Sequence, residues 1–201
     1  MADPAYIDSD GVLTDGEAWV ALETDDVTSD AVVQFLSTND GQVGDWSQYM
    51  DLIIVAYART DYASTSASAI MHLNNDTTSN YAQQLLYGGG AAAAASSATT
   101  NYMYMAWTAG NLSPDYQFGG AVITLHDINS GKYKSVRSQF ADDRDGTGYA
   151  GLFAHTWKSH AAVTEIDITG WGGANFLAGS YFSLFGVLPR MMPGATTTVA
   201  T

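Results

Sequence analysis

The sequence predicts an all-β fold, a sandwich or barrel with an extended N-terminal arm. Three observations predict it. Apolar residues recur with a period of two. Segments rich in aromatic and β-branched residues are separated by clusters of Gly, Asn, Asp and Ser. No stretch shows a convincing amphipathic helical spacing, which leaves a sandwich or barrel. With 201 residues, 46% hydrophobic and 14% charged, the chain holds enough apolar material for one packed core.

Eleven strands follow in chain order. Ala18–Leu22 and Ala31–Ser37 are short runs inside an acidic first quarter. Leu52–Arg59 belongs to the run Asp51-Leu52-Ile53-Ile54-Val55-Ala56-Tyr57, which lacks alternation and so predicts a central strand covered on both sides. Ala69–Asn74 and Tyr81–Tyr87 flank the polar turn Asn74–Ser79. In Tyr102–Trp107 the two tyrosines Tyr102 and Tyr104 project together and Met103 and Met105 project oppositely. One row must pack inward. Ala121–Ile128 and Lys134–Phe140 form a hairpin about Asn129-Ser130-Gly131, with Ile123 and Leu125 on one face. Gly151–Lys158 is followed by Val163–Thr169, where Ile166 and Ile168 oppose Glu165, Asp167 and Thr169. Tyr181–Val187 closes the series with Phe182 and Leu184 pointing inward. The four prolines (Pro4, Pro114, Pro189, Pro193) fall at element ends or in the tails, so none interrupts a strand. Gly88-Gly89-Gly90 and the alanines and hydroxyl residues up to Thr100 predict a long surface loop with one helical turn. The parse is an acidic arm with the first strands over 1–48, a β-sandwich over 49–188 and a C-terminal tail over 189–201.

Charge removes several function classes. Seven basic residues against 21 acids give a formal charge of -14. Residues 1–58 hold twelve of the acids and no base, and six of the seven bases lie after position 130. No basic patch exists to neutralise phosphates, so nucleic acid is not an expected partner. Nor is an anionic membrane surface. The chain has no cysteine, which excludes disulfides, thiolate metal ligands and cysteine nucleophiles. Met1-Ala2-Asp3-Pro4 starts no signal peptide, and no window approaches eighteen apolar residues.

No catalytic, cofactor or metal site is expected. Asp142-Asp143-Arg144-Asp145-Gly146 resembles part of a calcium loop, but the first ligand position is Ala141 and the twelfth is Leu152. His72, His126, His155 and His160 have no paired spacing on a helix. Ala178-Gly179-Ser180-Tyr181 lacks the second glycine of a nucleophile elbow. Glu17, Glu23 and Glu165 are the only glutamates and none has an identifiable partner for glycoside hydrolysis. Trp171-Gly172-Gly173-Ala174-Asn175-Phe176 lacks the lysine of a phosphate loop. Asn75-Asp76-Thr77 and Asn111-Leu112-Ser113 match the glycosylation pattern, which carries no weight without a secretory signal.

Two passages are more specific than composition. One is Arg59-Thr60-Asp61 leading to Leu73-Asn74-Asn75-Asp76-Thr77-Thr78-Ser79-Asn80-Tyr81 and Leu85-Leu86-Tyr87-Gly88. The other is Ala162–Ile168 followed by Asn175-Phe176-Leu177-Ala178-Gly179-Ser180-Tyr181-Phe182-Ser183-Leu184-Phe185-Gly186-Val187. Over residues 50–187 they resemble a group of tailed-bacteriophage virion structural proteins, with Phe185 in place of the usual tyrosine. The resemblance implies a jelly-roll-like sandwich on the outside of a virion, made in the host bacterial cytoplasm. As a capsid decoration (cement) protein it would form a homotrimer and bind the major capsid protein, with no enzymatic activity and no cofactor. The competing expectation is a receptor- or carbohydrate-binding module of a tail or head fibre. It would use Trp107, with Gly88–Thr100 as the lip of its site.

Overall fold

The structure is a computed structural model and describes residues 19–90 and 92–188. An eight-stranded antiparallel sheet packs over a four-stranded one, and between them lies one hydrophobic core. Fourteen strands carry the chain: β1 (Trp19–Asp26), β2 (Ser29–Asp30), β3 (Val32–Leu36), β4 (Asp51–Ala58), β5 (Ser66–Leu73), β6 (Tyr81–Gly89), β7 (Ala92–Thr100), β8 (Met103–Ala109), β9 (Gly119–His126), β10 (Lys134–Asp142), β11 (Tyr149–Trp157), β12 (Glu165–Gly170), β13 (Phe176–Leu177) and β14 (Tyr181–Val187). The large sheet runs β1-β14-β4-β9-β10-β11-β6-β7 and the small one β3-β12-β5-β8, with β2 and β13 as a separate two-stranded ladder.

The winding is that of a jelly roll. From β3 onward the chain alternates between sheets, stays in the large sheet for the β6–β7 hairpin, and crosses back at β8. The position between β4 and β6, one strand wide in the simplest eight-stranded version, is here the meander β9–β10–β11. Alternation does the folding. Ile123, Leu125, Ile166, Ile168, Phe182 and Leu184 are all fully buried, on the inward face expected of each strand. Of the two rows on β8, Met103 and Met105 turn into the core, while Tyr102 and Tyr104 face out with rings 5.1 Å apart.

Two expectations change. Ala92–Thr100 is not a loop with a helical turn but strand β7, paired with β6 from Tyr81↔Thr100 to Gly89↔Ala92. Nine ladder positions against β6 outweigh alanine's helix preference, and an Ala/Ser/Thr run carries too little hydrophobic contrast to show its period. The second change concerns β4. It is central, between β14 and β9, and Leu52, Ile54 and Ala56 are buried beneath it. On its other face Ile53 is buried but Val55 is partly exposed and Tyr57 38% exposed, and no second sheet of the described residues lies over it. Within the segment expected as arm and first strands, β1 pairs with β14 and β3 with β12, so residues 19–36 are part of both sheets. Residues 1–18 and the tail 189–201 lie outside the described residues.

The motif residues are consumed by the fold. Asn74 accepts at Oδ1 from Thr164 N (2.9 Å) and Glu165 N (3.1 Å) and donates to Ala162 O (2.7 Å), pinning the start of β12 to the β5–β6 turn. Asp76 accepts from Trp157 Nε1 (2.8 Å), Asn80 Nδ2 (2.9 Å), Thr78 N (3.0 Å) and the Thr78 hydroxyl. Burial raises its pKa, but these bonds prevail and hold the carboxyl far below the usual range. Tyr81 donates to Asp76 O at 2.8 Å beneath the same turn. Trp157→Phe keeps the ring in the core and removes only the indole donor. It is expected to cost about 1.5 kcal/mol in urea unfolding at pH 7, and a loss as large as that of Trp157→Ala would show that the hydrogen bond is not the term removed.

The second motif passage closes onto the first. Asp61 accepts from Asn175 N and Asn175 Nδ2, both at 2.8 Å, and Thr60 bridges Phe176. Arg59 O accepts from Leu177 N at 2.8 Å, and Arg59 N donates to Ser180 Oγ at 3.1 Å. Gly179 takes φ +90° to make the approach to β14. Gly186 is required by contact: a Cβ there would lie 2.5 Å from the Tyr49 ring.

Candidate functional site

The titratable clusters noted in the sequence are occupied internally. Asp142 is buried 3.0 Å from Arg144 Nε, and Arg144 lies 5.2 Å over the Tyr149 ring. Burial pushes Asp142 upward against the pull of that guanidinium. Asp143 accepts from Gly146 N at 2.8 Å, and Asp145 turns the chain at φ +57°. The segment that resembles a calcium loop is thus a turn with its acids engaged. Among the described residues no group of three or more His, Asp or Glu side chains is placed to share a metal ion.

The histidines do not meet. His155 is buried against Tyr104 O (Nε2···O 2.8 Å), His160 contacts Gly131 O at 2.7 Å beside Tyr133, and His126 lies 3.4 Å from Asp51. His72 faces out from β5. Ser180, the serine of the incomplete elbow, is buried and bonds to Arg59.

Trp107, the sequence candidate for a glycan platform, is half-buried with Tyr87 and Tyr149 edge-on to it at 4.6 and 4.8 Å. Gly88–Thr100 gives no loop lip beside it, because that segment continues β6 and forms β7.

The feature that the sequence did not single out is the outer face of the eight-stranded sheet. Strand register lines its side chains into rows. One row reads Ser183, Val55, Val122, Gln139, Leu152, Leu86 and Ala95 from β14 to β7. The next reads Tyr181, Tyr57, Gly120, Ala141, Ala150, Gly88 and Ala93, and the third Phe185, Ile53, Thr124, Arg137, Ala154, Gln84 and Ser97. Arg137 is the single charge in these three rows. Leu86 is 59% exposed, Val122 41% and Tyr181 40%. Tyr57 stacks on Phe118 at 5.0 Å and leans on Tyr181 at 5.7 Å, above a shallow depression of about 460 Å³. At one margin β7 offers an unpaired and uncharged edge nine residues long.

The unalternating run in β4 now has a physical reading. Strands covered on both faces are written as continuous apolar runs, yet the described residues lay a second sheet over only one face of β4. Seven strands at ~4.8 Å spacing, each placing three side chains on this face over ~20 Å, give three rows covering roughly 29 by 20 Å, about 600 Å². A standard interface takes about 800 Å² per partner. The rows mix Val, Leu, Tyr, Ala and Gly with Ser, Thr and Gln and carry one charge, a nearly uncharged surface suited to contact with another protein. Comparison with protein-family models, curated proteins and solved structures gives no match to this chain.

Proposed function

We propose that this protein is a structural component of a tailed-bacteriophage virion, a capsid decoration (cement) protein of the head exterior. It assembles with copies of itself through the outer face of the eight-stranded sheet and binds the major capsid protein. The observation that carries this reading is the broad outer face, with one charge in its three rows in a chain of net charge -14. A second copy is the occupant best suited to it: two acidic molecules can approach there without bringing like charges together. The motifs that resemble those of phage virion proteins are spent mostly on closing the sandwich, with Leu86 and Tyr181 left exposed on the outer face, which fits a structural role.

Attachment to the capsid is assigned to the acidic first segment. Residues 1–49 contain eleven acids and no base, and such a segment complements a basic patch on a partner, with binding that weakens as salt rises.

Purified protein is expected to sediment with naked heads, less so at high salt, and to run larger than a 21.3 kDa monomer in light scattering. Val122→Arg, on an exposed position of the face, is expected to return it to the monomer mass while leaving its melting temperature nearly unchanged. A wild-type monomer, or an oligomer untouched by Val122→Arg, would overturn the self-assembly surface. Failure to bind heads would overturn the decoration reading.

A further inference from the structure

The opposite face of the sandwich carries a different kind of surface. The four-stranded sheet presents Thr169 on β12 and Ile70 and His72 on β5 as the floor of a groove of about 600 Å³, within the roughly 300–1,000 Å³ range of small-molecule sites. Val32 forms one side. Tyr102 and Trp171 form the other, their ring centroids 5.2 Å apart, with Tyr104 5.9 Å behind Trp171. Trp171 is 37% exposed, on the turn of Trp171–Gly173 that follows β12. Thr77 and Asn101 close one end.

The polar groups that line this groove differ from those of the two motif passages. Asn74, Asp76 and Arg59 spend their capacity inside the protein. Thr77, Asn101 and Thr169, by contrast, make no side-chain hydrogen bond to another described residue. Asp167 stands directly across from His72 in the β12–β5 register and two residues before Thr169 on the same face. It is 7% exposed, and its Oδ1 accepts from Gln34 Nε2 at 2.8 Å. Its Oδ2 is buried with no hydrogen-bond partner.

We propose that this groove is a binding site for a neutral carbohydrate, a short oligosaccharide of pyranose rings. A pyranose offers an apolar C–H face for the Trp171 and Tyr102 rings and a rim of hydroxyls that both donate and accept. Asn101, Thr77 and Thr169, which line the groove, can donate or accept. Burial pushes His72 below the usual imidazole range against the pull of the Asp167 carboxylate and a hydrogen bond to the Asn101 backbone, which ties the ring to the end of the groove. The Asp167 carboxylate and the net charge of -14 disfavour an anionic sugar. The floor is a sheet face and not a free edge, so an extended peptide would find no ladder to join.

The inference does not depend on the virion reading, because the groove and the self-assembly face lie on opposite sheets. The test is tryptophan fluorescence and ligand-observed NMR on the full chain. The probes are methyl glycosides of glucose, galactose, mannose and N-acetylglucosamine with their oligomers, and sialyllactose as the anionic probe. Saturable binding of at least one neutral sugar is expected, with longer oligomers tighter and sialyllactose weaker. Trp171→Ala and Asn101→Ala, both at solvent-accessible positions, should each weaken it about tenfold or more without altering the oligomer. No neutral sugar binding at millimolar concentration, or binding unchanged in Trp171→Ala, would overturn the site. So would a preference for sialyllactose.

Discussion

Replacing Arg59 by methionine is expected to cost about 4 kcal/mol of folding stability, the largest single loss anticipated for a polar residue here. Arg59 is 6% exposed. Its Nη1 donates to Pro114 O at 2.7 Å and Gln117 O at 3.4 Å, and its Nη2 to Ser113 O at 2.9 Å and Asn111 O at 3.4 Å. Among the described residues no carboxylate lies within ion-pair distance of this guanidinium. The charge is therefore solvated by the carbonyls of a single loop, which it gathers onto the end of β4. Methionine fills most of the volume and supplies none of the donors. The four carbonyls then have two options: to remain buried and unpaired, or to turn to water and open the loop. The loop residues Leu112 and Tyr116 are already 64% and 92% exposed, so opening is the cheaper route and bounds the cost. Amide exchange should rise across 110–118 before it rises in β9 or β10. Arg59→Lys keeps the charge but not the fork and should recover less than half of the loss. A loss under about 1 kcal/mol for Arg59→Met would mean that the loop is held by something else.

That cluster shows where sequence reading reached and where it stopped. Arg59-Thr60-Asp61 and Asn175–Ser180 were each visible as distinctive passages, more than 110 positions apart. Nothing in either says that Asp61 receives Asn175 or that Ser180 bonds to Arg59, because such pairing exists only once β4 and β14 are neighbours. Strands whose faces differ in polarity, such as β9 and β12, could be placed with their inward residues. Strand β7 could not, since alanine, serine and threonine sit almost equally well on either side of a sheet. The two-residue ladder of β2 and β13 is too short to have a period. The groove residues come from β3, β5, the β7–β8 connection, β12 and the turn after it, so their convergence is a property of topology. The outer face was half-legible: the apolar run of β4 announced burial on two sides, but only register revealed that β9, β11 and β6 continue the same surface.

Lowering the pH from 7 to 4 is expected to remove about 3 kcal/mol of stability through His155 alone. The ring is 3% exposed, stacked at 5.4 Å on Phe153, with Nε2 2.8 Å from Tyr104 O. A carbonyl oxygen can only accept, so Nε2 carries the proton and Nδ1 is left as a buried acceptor without a partner. Burial drives the imidazole down to about 4 from 6.5, the bond to Tyr104 O resisting only in part. Its neighbours on the adjoining strands, Gln83 on β6 and Val136 on β10, bring no negative charge to stabilise an imidazolium. Above pH 6.5 the residue is neutral in both states and contributes nothing to pH dependence. Between 6.5 and 4 the unfolded chain takes up a proton that the folded chain refuses, so stability falls as pH falls. Below 4 both states are charged and the loss levels off. His72, half-buried and also lowered by burial, adds a smaller loss of the same sign. Asp76 acts only further down, where its hydrogen-bonded carboxylate must be protonated on unfolding. Asp142, raised by burial, works in the opposite direction. His155→Gln keeps an N–H donor and cannot titrate. Urea midpoints measured from pH 7 to pH 4 should therefore fall steeply for the wild type and much less for His155→Gln. Equal slopes for the two proteins would show that the acid sensitivity of the fold lies elsewhere.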